Sequence, residues 1–432
     1  MITITYPYKG MVFQRANDGA AYVNVRGLAD SAKVTISFTP VQSTWGTAVE
    51  PQTVQVTNGK FEAWVKVPGG DYTLRVNNDL DTQIVTPVGV GEVLLLWGHS
   101  FIAGDPGWNR DAADPRSRTV KTKRSDTNPL EPTRLQDFAL LPLDFGPINQ
   151  EYAIGPFSVY TWMWGMFADA LVQKLNVPVL LYSAAFGGSQ VYMNLLNIEN
   201  KPFDHPFFGG LEQYRMPYRP VEAVMQKYAQ LTGLRGVICE HGGNDGGLVT
   251  SGKINIANVF PKVVNHSRSL LGHEKLIWTI SLEGNAFLDA NASILNDQLK
   301  QVLATLPNAY KGIDLSDPST VGSWRDNNGT GHFRGLSGAQ KYLDLWLNAI
   351  KPDFFTSSTP YLILPPSAAT VTNAPEGSTD SSLLANFKSD SLTGSPKWYQ
   401  NENVQLGALI VWGLGLLTLA GLFALKFLKA NR

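Results

Sequence analysis

The fold is decided by the stretch Gly91-Glu92-Val93-Leu94-Leu95-Leu96-Trp97-Gly98-His99-Ser100-Phe101. In it, a nearly continuous apolar run ends at a glycine, and a serine follows two positions later. Such a run is typical of a strand that is buried on both faces of a parallel sheet. Open α/β sheets bind their ligands at the carboxyl ends of such strands, so Ser100 lies where a ligand is expected. A serine that merely caps the next turn is the alternative, and this stretch alone does not exclude it.

The composition narrows the classes of function. The chain has 432 residues, with 35 basic and 36 acidic side chains and no basic block, which argues against non-specific nucleic-acid binding. Its single cysteine, Cys239, excludes an internal disulfide and a thiolate metal cluster. The sequence has no His-Glu-x-x-His motif, and neither of its glycine-rich loops carries the Lys-Ser/Thr of a phosphate-binding loop. We therefore expect no metal, no cofactor and no nucleic-acid partner.

The hydrophobic pattern divides the chain into two folded parts. Residues 1–88 alternate apolar and polar side chains between turn residues, with a hairpin signal at Asn58-Gly59, which predicts a small β-sandwich. From residue 91 to 353, apolar strands alternate with helical periodicity. This pattern predicts a three-layer α/β domain whose parallel sheet is covered on both faces.

The carboxyl-terminal part differs from both. Residues 354–404 are rich in Ser, Thr, Pro and Asn, which is typical of a linker or stalk. The twenty residues from Leu406 to Leu425 carry no charge, and basic residues follow, so we expect a transmembrane helix at 405–428. The basic flank predicts a single-pass membrane protein whose globular part lies outside the cytoplasm or on a virion surface. The amino terminus shows no signal-peptide pattern.

Polar segments with neighbouring glycines follow three of the predicted strands, and a histidine precedes the last helix. They are Gly98-His99-Ser100, Gly187-Gly188-Ser189, Gly242-Gly243-Asn244-Asp245 and His332. Acyl transfer needs such groups: a hydroxyl that attacks a carbonyl, a histidine that takes its proton, and donors that hold the oxyanion. Glycines let backbone N–H groups approach an oxyanion, and an asparagine amide adds a side-chain donor. The segments therefore indicate acyl transfer.

In the same order, these segments resemble the four sequence blocks of the SGNH (GDSL-like) hydrolases. The closest resemblance is to the sialate O-acetylesterase-like and carbohydrate acetylesterase branch, over about residues 91–353. It implies a flavodoxin-like three-layer fold, with Ser100 as nucleophile and His332 as general base. It also implies an oxyanion hole made by the N–H of Ser100, the N–H of Gly187 or Gly188, and the side chain of Asn244.

The chain departs from the pattern of this family around the serine and before the histidine. His99 and Phe101 replace the residues that usually flank the serine. The aspartate of the family lies three residues before its histidine, but that position is Gly329 here. Asp326, six residues before His332, is our candidate for the acid that orients the histidine. A backbone carbonyl in its place, a dyad without an acid, and an inactive site are the alternatives.

Two functions fit these features. The first is a membrane-anchored serine esterase that removes O-acetyl groups from carbohydrate, with His99, Gly188, His241 and Asp245 around the substrate. His241 is equally compatible with a structural role. The second is a non-catalytic glycan- or receptor-binding surface protein, such as a virion component, that retains the fold. The residues themselves indicate only acyl transfer, whereas the acetyl group and the sugar come from the resemblance. The sequence indicates no oligomeric state.

Overall fold

The computed structural model describes residues 1–105, 107–123, 133–158, 160–284, 290–326 and 330–366. Within these ranges, no helix is both long and apolar enough to cross a membrane. The predicted transmembrane helix at 405–428 and the part of the predicted linker after residue 366 lie outside the described residues, so both stay predictions. The first residues of that linker belong to the folded part, because Tyr361 forms an antiparallel bridge with Leu234.

The amino-terminal part consists mainly of antiparallel strands in two sheets. The strands are β1 (Ile2–Tyr6), β2 (Val12–Gln14), β3 (Ala20–Ala29), β4 (Lys33–Pro40), β5 (Val49–Gln55), β6 (Lys60–Pro68), β7 (Gly70–Asn77) and β8 (Thr82–Gly98). One sheet has the order β1-β3-β6, and β4 pairs with β5 and β7 in the other. Buried residues alternate along β4 and β6 and join one core. The turn at Asn58-Gly59 has positive φ at both residues, 52° and 73°, as the two-residue hairpin predicted there requires.

The second part of the fold is built on a parallel sheet. Its strands and the short pairings around them are β9 (Ser117–Lys123), β10 (Phe145–Pro147), β11 (Tyr152–Ile154), β12 (Pro156–Phe157), β13 (Val179–Ala184), β14 (Asp204–His205), β15 (Gly209–Gly210), β16 (Gly236–Glu240), β17 (Ile277–Leu282) and β18 (Ala309–Asp314). The parallel order is β9-β13-β8-β16-β17-β18. Apart from β9, which lies between β13 and the short antiparallel strands β10 and β11, this is the flavodoxin-like order. Its topological switch lies between β8 and β16.

Strand β8 belongs to both parts of the fold. Its first half pairs with β7, and its second half lies between β13 and β16. The predicted boundary between residues 88 and 91 therefore falls inside one continuous strand. The division into separate domains stays a prediction.

Helices cover both faces of the parallel sheet. They are α1 (Ser100–Ala103), α2 (Thr133–Gln136), α3 (Trp164–Leu175), α4 (Val191–Ile198), α5 (Arg219–Ala223), α6 (Ala229–Thr232), α7 (Gly246–Thr250), α8 (Ile256–Leu271), α9 (Ala290–Thr305), α10 (Gly335–Ala349) and α11 (Pro352–Ser357). Val93, Leu95 and Trp97 of β8 join a core with α4 and α8. Leu94 and Leu96 join a second core with α3 and α10. The structure is thus a mixed α/β fold with a large mixed sheet. The hydrophobic pattern predicts the α/β class, but not that β8 joins antiparallel and parallel strands in one sheet.

Candidate active site

Ser100 follows β8 as the first residue of the short helix α1. The strand ends at Gly98, where a Cβ atom would lie only 2.1 Å from the backbone oxygen of Glu240 on β16, so no larger residue fits. The backbone oxygen of Gly98 accepts the N–H of Phe186 at 3.0 Å, which ties the loop after β13 to this turn. Ser100 itself is half-buried. The fold therefore holds the hydroxyl of Ser100 at the carboxyl ends of the parallel strands, beside the topological switch.

His332 contacts Ser100 directly. Its Nε2 atom lies 2.7 Å from Ser100 Oγ, and its Nδ1 atom lies 2.6 Å from Oγ1 of Thr330. The Thr330 hydroxyl donates to Asp326, at 2.9 and 3.0 Å from its two carboxylate oxygens. Because that hydroxyl has one hydrogen, it accepts the N–H of Nδ1, and Nε2 is left to accept the proton of Ser100. We assign this tautomer to His332, since it is the one that a general base requires.

A hairpin that is closed by backbone contacts brings the acid to the histidine. Arg325 and Phe333 form an antiparallel bridge, and the N–H of Asp326 donates to the backbone oxygen of His332 at 2.8 Å. Asp326 Oδ2 lies 3.7 Å from His332 Nδ1, so the contact between them runs through the threonine hydroxyl. Gly329, where the family resemblance would place the acid, lies outside the described residues.

Arg334 adds a positive charge to this hairpin. Its Nε donates to Asp326 Oδ2 at 3.1 Å, and its Nη1 donates to Asp105 at 3.3 Å. Burial lowers the pKa of His332 most, and Arg334 lowers it further. Asp326 opposes them only in part, so the pKa of His332 falls to about 4. His332 is therefore neutral at pH 7 and able to take a proton.

The second and third polar segments are linked by hydrogen bonds. The side-chain amide of Asn244 donates to the backbone oxygen of Ser189 at 2.8 Å. The side chain of Gln190 donates to the backbone oxygen of Asn244, also at 2.8 Å. An amide has two N–H groups, and the contact with Ser189 uses one of them. Asn244 is exposed, so its amide lies at the surface of the site.

The loop after β13 is held in a conformation that requires glycine. Gly188 has a φ of 77°, and a Cβ atom there would lie 2.6 Å from the ring of Phe207. His205 Nε2 lies 3.1 Å from the backbone oxygen of Gly187. These contacts fix the peptide whose N–H is predicted to face an oxyanion. That role stays a prediction, as do the roles of the other two predicted oxyanion donors.

Three of the four residues predicted to line the substrate are buried. His99, His241 and Asp245 are 3%, 1% and 0% exposed, whereas Gly188 is partly exposed. Asp245 accepts the first two N–H groups of α4, at 2.8 and 3.0 Å, and burial raises its pKa to about 7. His241 Nε2 lies 3.3 Å from a serine hydroxyl of the loop after β13. The three side chains therefore lie beneath the loops around Ser100, and their role at the substrate stays a prediction.

A buried acidic pair that the sequence motifs do not include lies behind Ser100. Glu240 is the last residue of β16, Glu283 follows β17, and both carboxylates are buried. Nε2 of His99 lies 3.2 Å from Glu240 Oε1 and 3.6 Å from Glu283 Oε2. One nitrogen and two carboxylate oxygens within 4.8 Å of one another could hold a divalent cation. The strand-end position that singled out Ser100 also applies to both glutamates and would have found them.

No protein-family model matches the sequence, and no curated protein sequence matches it. Several solved structures are similar. A carbohydrate acetylesterase from Xanthomonas citri has 17% sequence identity and a TM-score of 0.44, over 82% of this chain and 76% of that chain. A protein from Arabidopsis thaliana has 13% identity and a TM-score of 0.39, over 60% and 97% of the two chains. A family two carbohydrate esterase from Cellvibrio japonicus has 10% identity and a TM-score of 0.28, over 81% and 92%. All three TM-scores are below 0.5, so these similarities do not assign an activity to this chain.

Proposed function

We propose that this protein is a serine hydrolase that cleaves ester bonds, with Ser100 as nucleophile and His332 as general base. The observation that carries the proposal is the series of contacts from Ser100 through His332 and Thr330 to Asp326. A hydroxyl, an imidazole and an acid in this order are what nucleophilic acyl transfer needs. The unusual feature is that a threonine hydroxyl lies between the imidazole and the acid.

The reaction follows from these contacts. Ser100 Oγ attacks the acyl carbonyl carbon while Nε2 of His332 takes the hydroxyl proton. The imidazolium keeps its Nδ1–H on Thr330, and the hydrogen bond from Thr330 to Asp326 stabilises the new positive charge. The tetrahedral intermediate expels the alcohol, which takes the proton from Nε2, and the acyl group stays on Ser100. Water then gives a proton to His332 and attacks the acyl-enzyme, and Ser100 Oγ leaves with that proton. We assign the oxyanion to the three predicted donors.

We assign the substrate to the class of O-acetylated carbohydrates. The resemblance of the four polar segments to the carbohydrate acetylesterase branch supports this class. The exposure of the site is compatible with it, since Ser100 is half-buried and Asn244 is exposed. An acetyl group on an extended glycan can approach such a site without entering a deep cavity.

A test of the proposed function compares the full chain, in detergent, with Ser100→Ala and His332→Ala. The substrate is p-nitrophenyl acetate, and Ser269→Ala, a change of an exposed serine on α8, is the matched control. We expect turnover by the native chain and the control, and loss of most of the rate in both site variants. Release of acetate from a panel of acetylated glycans then tests the substrate class.

One observation favours the second function, a glycan- or receptor-binding protein. Asp326 reaches His332 only through a hydroxyl and also pairs with Arg334. If the native chain hydrolyses no more ester than Ser100→Ala, and still binds glycans or receptors, the fold is a scaffold for binding.

We also propose that residues 405–428 anchor the protein in a membrane with its globular part outside the cytoplasm or on a virion surface. The uncharged twenty-residue segment and its basic flank support this proposal. In a flotation assay with lipid vesicles, we expect the full chain to float. A variant with Leu416→Asp and Leu417→Asp is expected to stay at the bottom, because each aspartate opposes insertion. Flotation of that variant would contradict the anchor.

A further inference from the structure

Ser100 has a second histidine beside it. Nδ1 of His99 lies 3.5 Å from Ser100 Oγ and accepts the N–H of Phe101 at 3.4 Å, so this ring caps α1. The ring of Phe101 lies 4.9 Å from that of His99 and 5.0 Å from that of His332, measured between centroids. The general base therefore contacts Ser100 from one side, and the capping histidine fixes the turn that carries it.

The other edge of the His99 ring faces the buried acidic pair. Within the part of the chain that the structure describes, His99 Nε2, both oxygens of the Glu240 carboxylate and Oε1 of Glu283 are buried without a hydrogen bond of good geometry. Gly243 covers the cluster, because a Cβ atom there would lie 2.9 Å from Glu283 Oε2 and 3.2 Å from His99 Nε2. The ring is thus held between the turn of the nucleophile and two carboxylates that solvent does not reach.

The charges of this cluster are balanced by protons and by one arginine. Burial raises the pKa of Glu283, and Glu240 raises it further, to about 8, so Glu283 keeps its proton at pH 7. Arg325, which donates to the backbone oxygens of Gly284 and Gly331, adds a positive charge near the pair. The remaining carboxylate charge therefore faces the Nε2–H group of His99.

We propose that His99 is a positioning residue for Ser100, clamped at Nε2 by Glu240 and Glu283 and holding the first turn of α1 through Nδ1. The proposal rests on the proposed function and deepens it. Both contacts are made in the free protein and neither touches a substrate. Their loss should therefore lower kcat by misplacing the nucleophile, and should leave KM nearly unchanged.

Two substitutions each remove one half of the clamp. His99→Asn keeps an acceptor near the Nδ1 position, since Asn is a good capping residue, but its side chain is too short to reach the carboxylates. His99→Gln keeps a donor near the Nε2 position but leaves no acceptor for Phe101. For p-nitrophenyl acetate, we expect each variant to lose about 10- to 100-fold in kcat, with KM within about twofold of the native value. His273→Gln, at a histidine that contacts the backbone oxygen of Thr359, is the matched control and should keep native kcat.

Several results would overturn the proposal. Thermal unfolding first confirms that the variants fold. Native kcat in either folded variant would show that half of the clamp is dispensable, and a rise in KM that accounts for the whole loss would make His99 a substrate contact. One equivalent of a divalent cation, found by elemental analysis of the native protein and lost in Glu240→Gln, would make the cluster a metal site.

A spectrum of the imidazole nitrogens separates failure of this proposal from failure of the proposed function. If the native chain neither hydrolyses esters nor reacts with a fluorophosphonate at Ser100, the proposed function fails. Long-range ¹H–¹⁵N spectra of the ¹⁵N-histidine-labelled full chain still report on the clamp. A His99 ring with a proton fixed on Nε2 between pH 6 and 8, released in Glu240→Gln, supports the clamp. A His99 ring that titrates freely in the native protein overturns it.

Discussion

Replacing Thr330 with valine removes the hydroxyl that joins the imidazole to the acid and keeps the shape of the side chain. In the native structure, this hydroxyl lies 2.6 Å from Nδ1 of His332 and donates to Asp326 at 2.9 Å. Asp326 Oδ2 is 3.7 Å from Nδ1, which is too far for a hydrogen bond without movement of the hairpin. In Thr330→Val, the imidazolium formed during the reaction therefore loses its partner.

The size of the effect follows from the strength of that hydrogen bond. A hydrogen bond to a charged group contributes about 1.5–3 kcal/mol. Since each 1.36 kcal/mol changes a rate tenfold, we expect kcat to fall about 10- to 150-fold. Loss of the acid from a direct triad can cost about 10⁴-fold, and the smaller value is expected here because Asp326 stays near and Arg334 shares its charge. Thr330 is only partly buried, so a large loss of stability is not expected.

The assay is steady-state hydrolysis of p-nitrophenyl acetate by the native chain, Thr330→Val and Thr330→Ser. Serine keeps the hydroxyl, so Thr330→Ser should retain most of the native kcat, and this rescue separates the hydrogen bond from packing. If Thr330→Val keeps more than half of the native kcat, or if Thr330→Ser loses as much activity as Thr330→Val, the threonine hydroxyl does not support the imidazolium.

Three further predictions concern charge. In Arg334→Gln, loss of the positive charge should raise the pKa of His332, which is about 4 in the native protein. The acid limb of the pH profile of kcat/KM should therefore move upward by about one pH unit. An unmoved acid limb would contradict this prediction. Because the pKa of Glu283 is raised to about 8, the folded state keeps a proton that the unfolded chain loses, so stability falls as pH rises from about 4.5 to 8. Glu283→Gln should reduce this fall in urea unfolding curves, and an equal fall in both proteins argues against the raised pKa. Glu92 is buried and paired with two arginines, so Glu92→Gln should lower the free energy of unfolding by about 3–5 kcal/mol. The control Lys66→Gln, which removes a surface ion pair, should change this free energy little. Equal effects of the two substitutions in urea unfolding would show that the buried pairs do not stabilise the fold.

The sequence predicts the alternation of strands and helices along the chain and the positions of the polar segments, because both depend on local pattern. An apolar run that ends at Gly98 predicts a buried strand. Ser100 then lies just after the carboxyl end of this strand, whichever strands pair with it. The turn at Asn58-Gly59 was predictable for the same reason, since two residues with positive φ are enough to form it.

Features that depend on contacts between distant segments were not predictable. Thr330 lies between His332 and Asp326 only because the hairpin closes through a backbone hydrogen bond, and no spacing rule reports that closure. Strand β9 lies in a polar segment with little periodicity, and its buried Arg118 pairs with Asp71 of the amino-terminal part. The burial of His241 likewise depends on neighbouring loops, so a pocket role and a structural role could not be separated from sequence.

Covalent labelling reports whether Ser100 is a nucleophile that His332 activates. The full chain is treated with a fluorophosphonate and digested with trypsin, which releases residues 76–110, a peptide in which Ser100 is the only serine. We predict one phosphonyl group per native chain, on that peptide, and at least tenfold slower labelling of His332→Ala. No adduct at Ser100 on a folded chain, or equal labelling rates in the two proteins, would contradict the account.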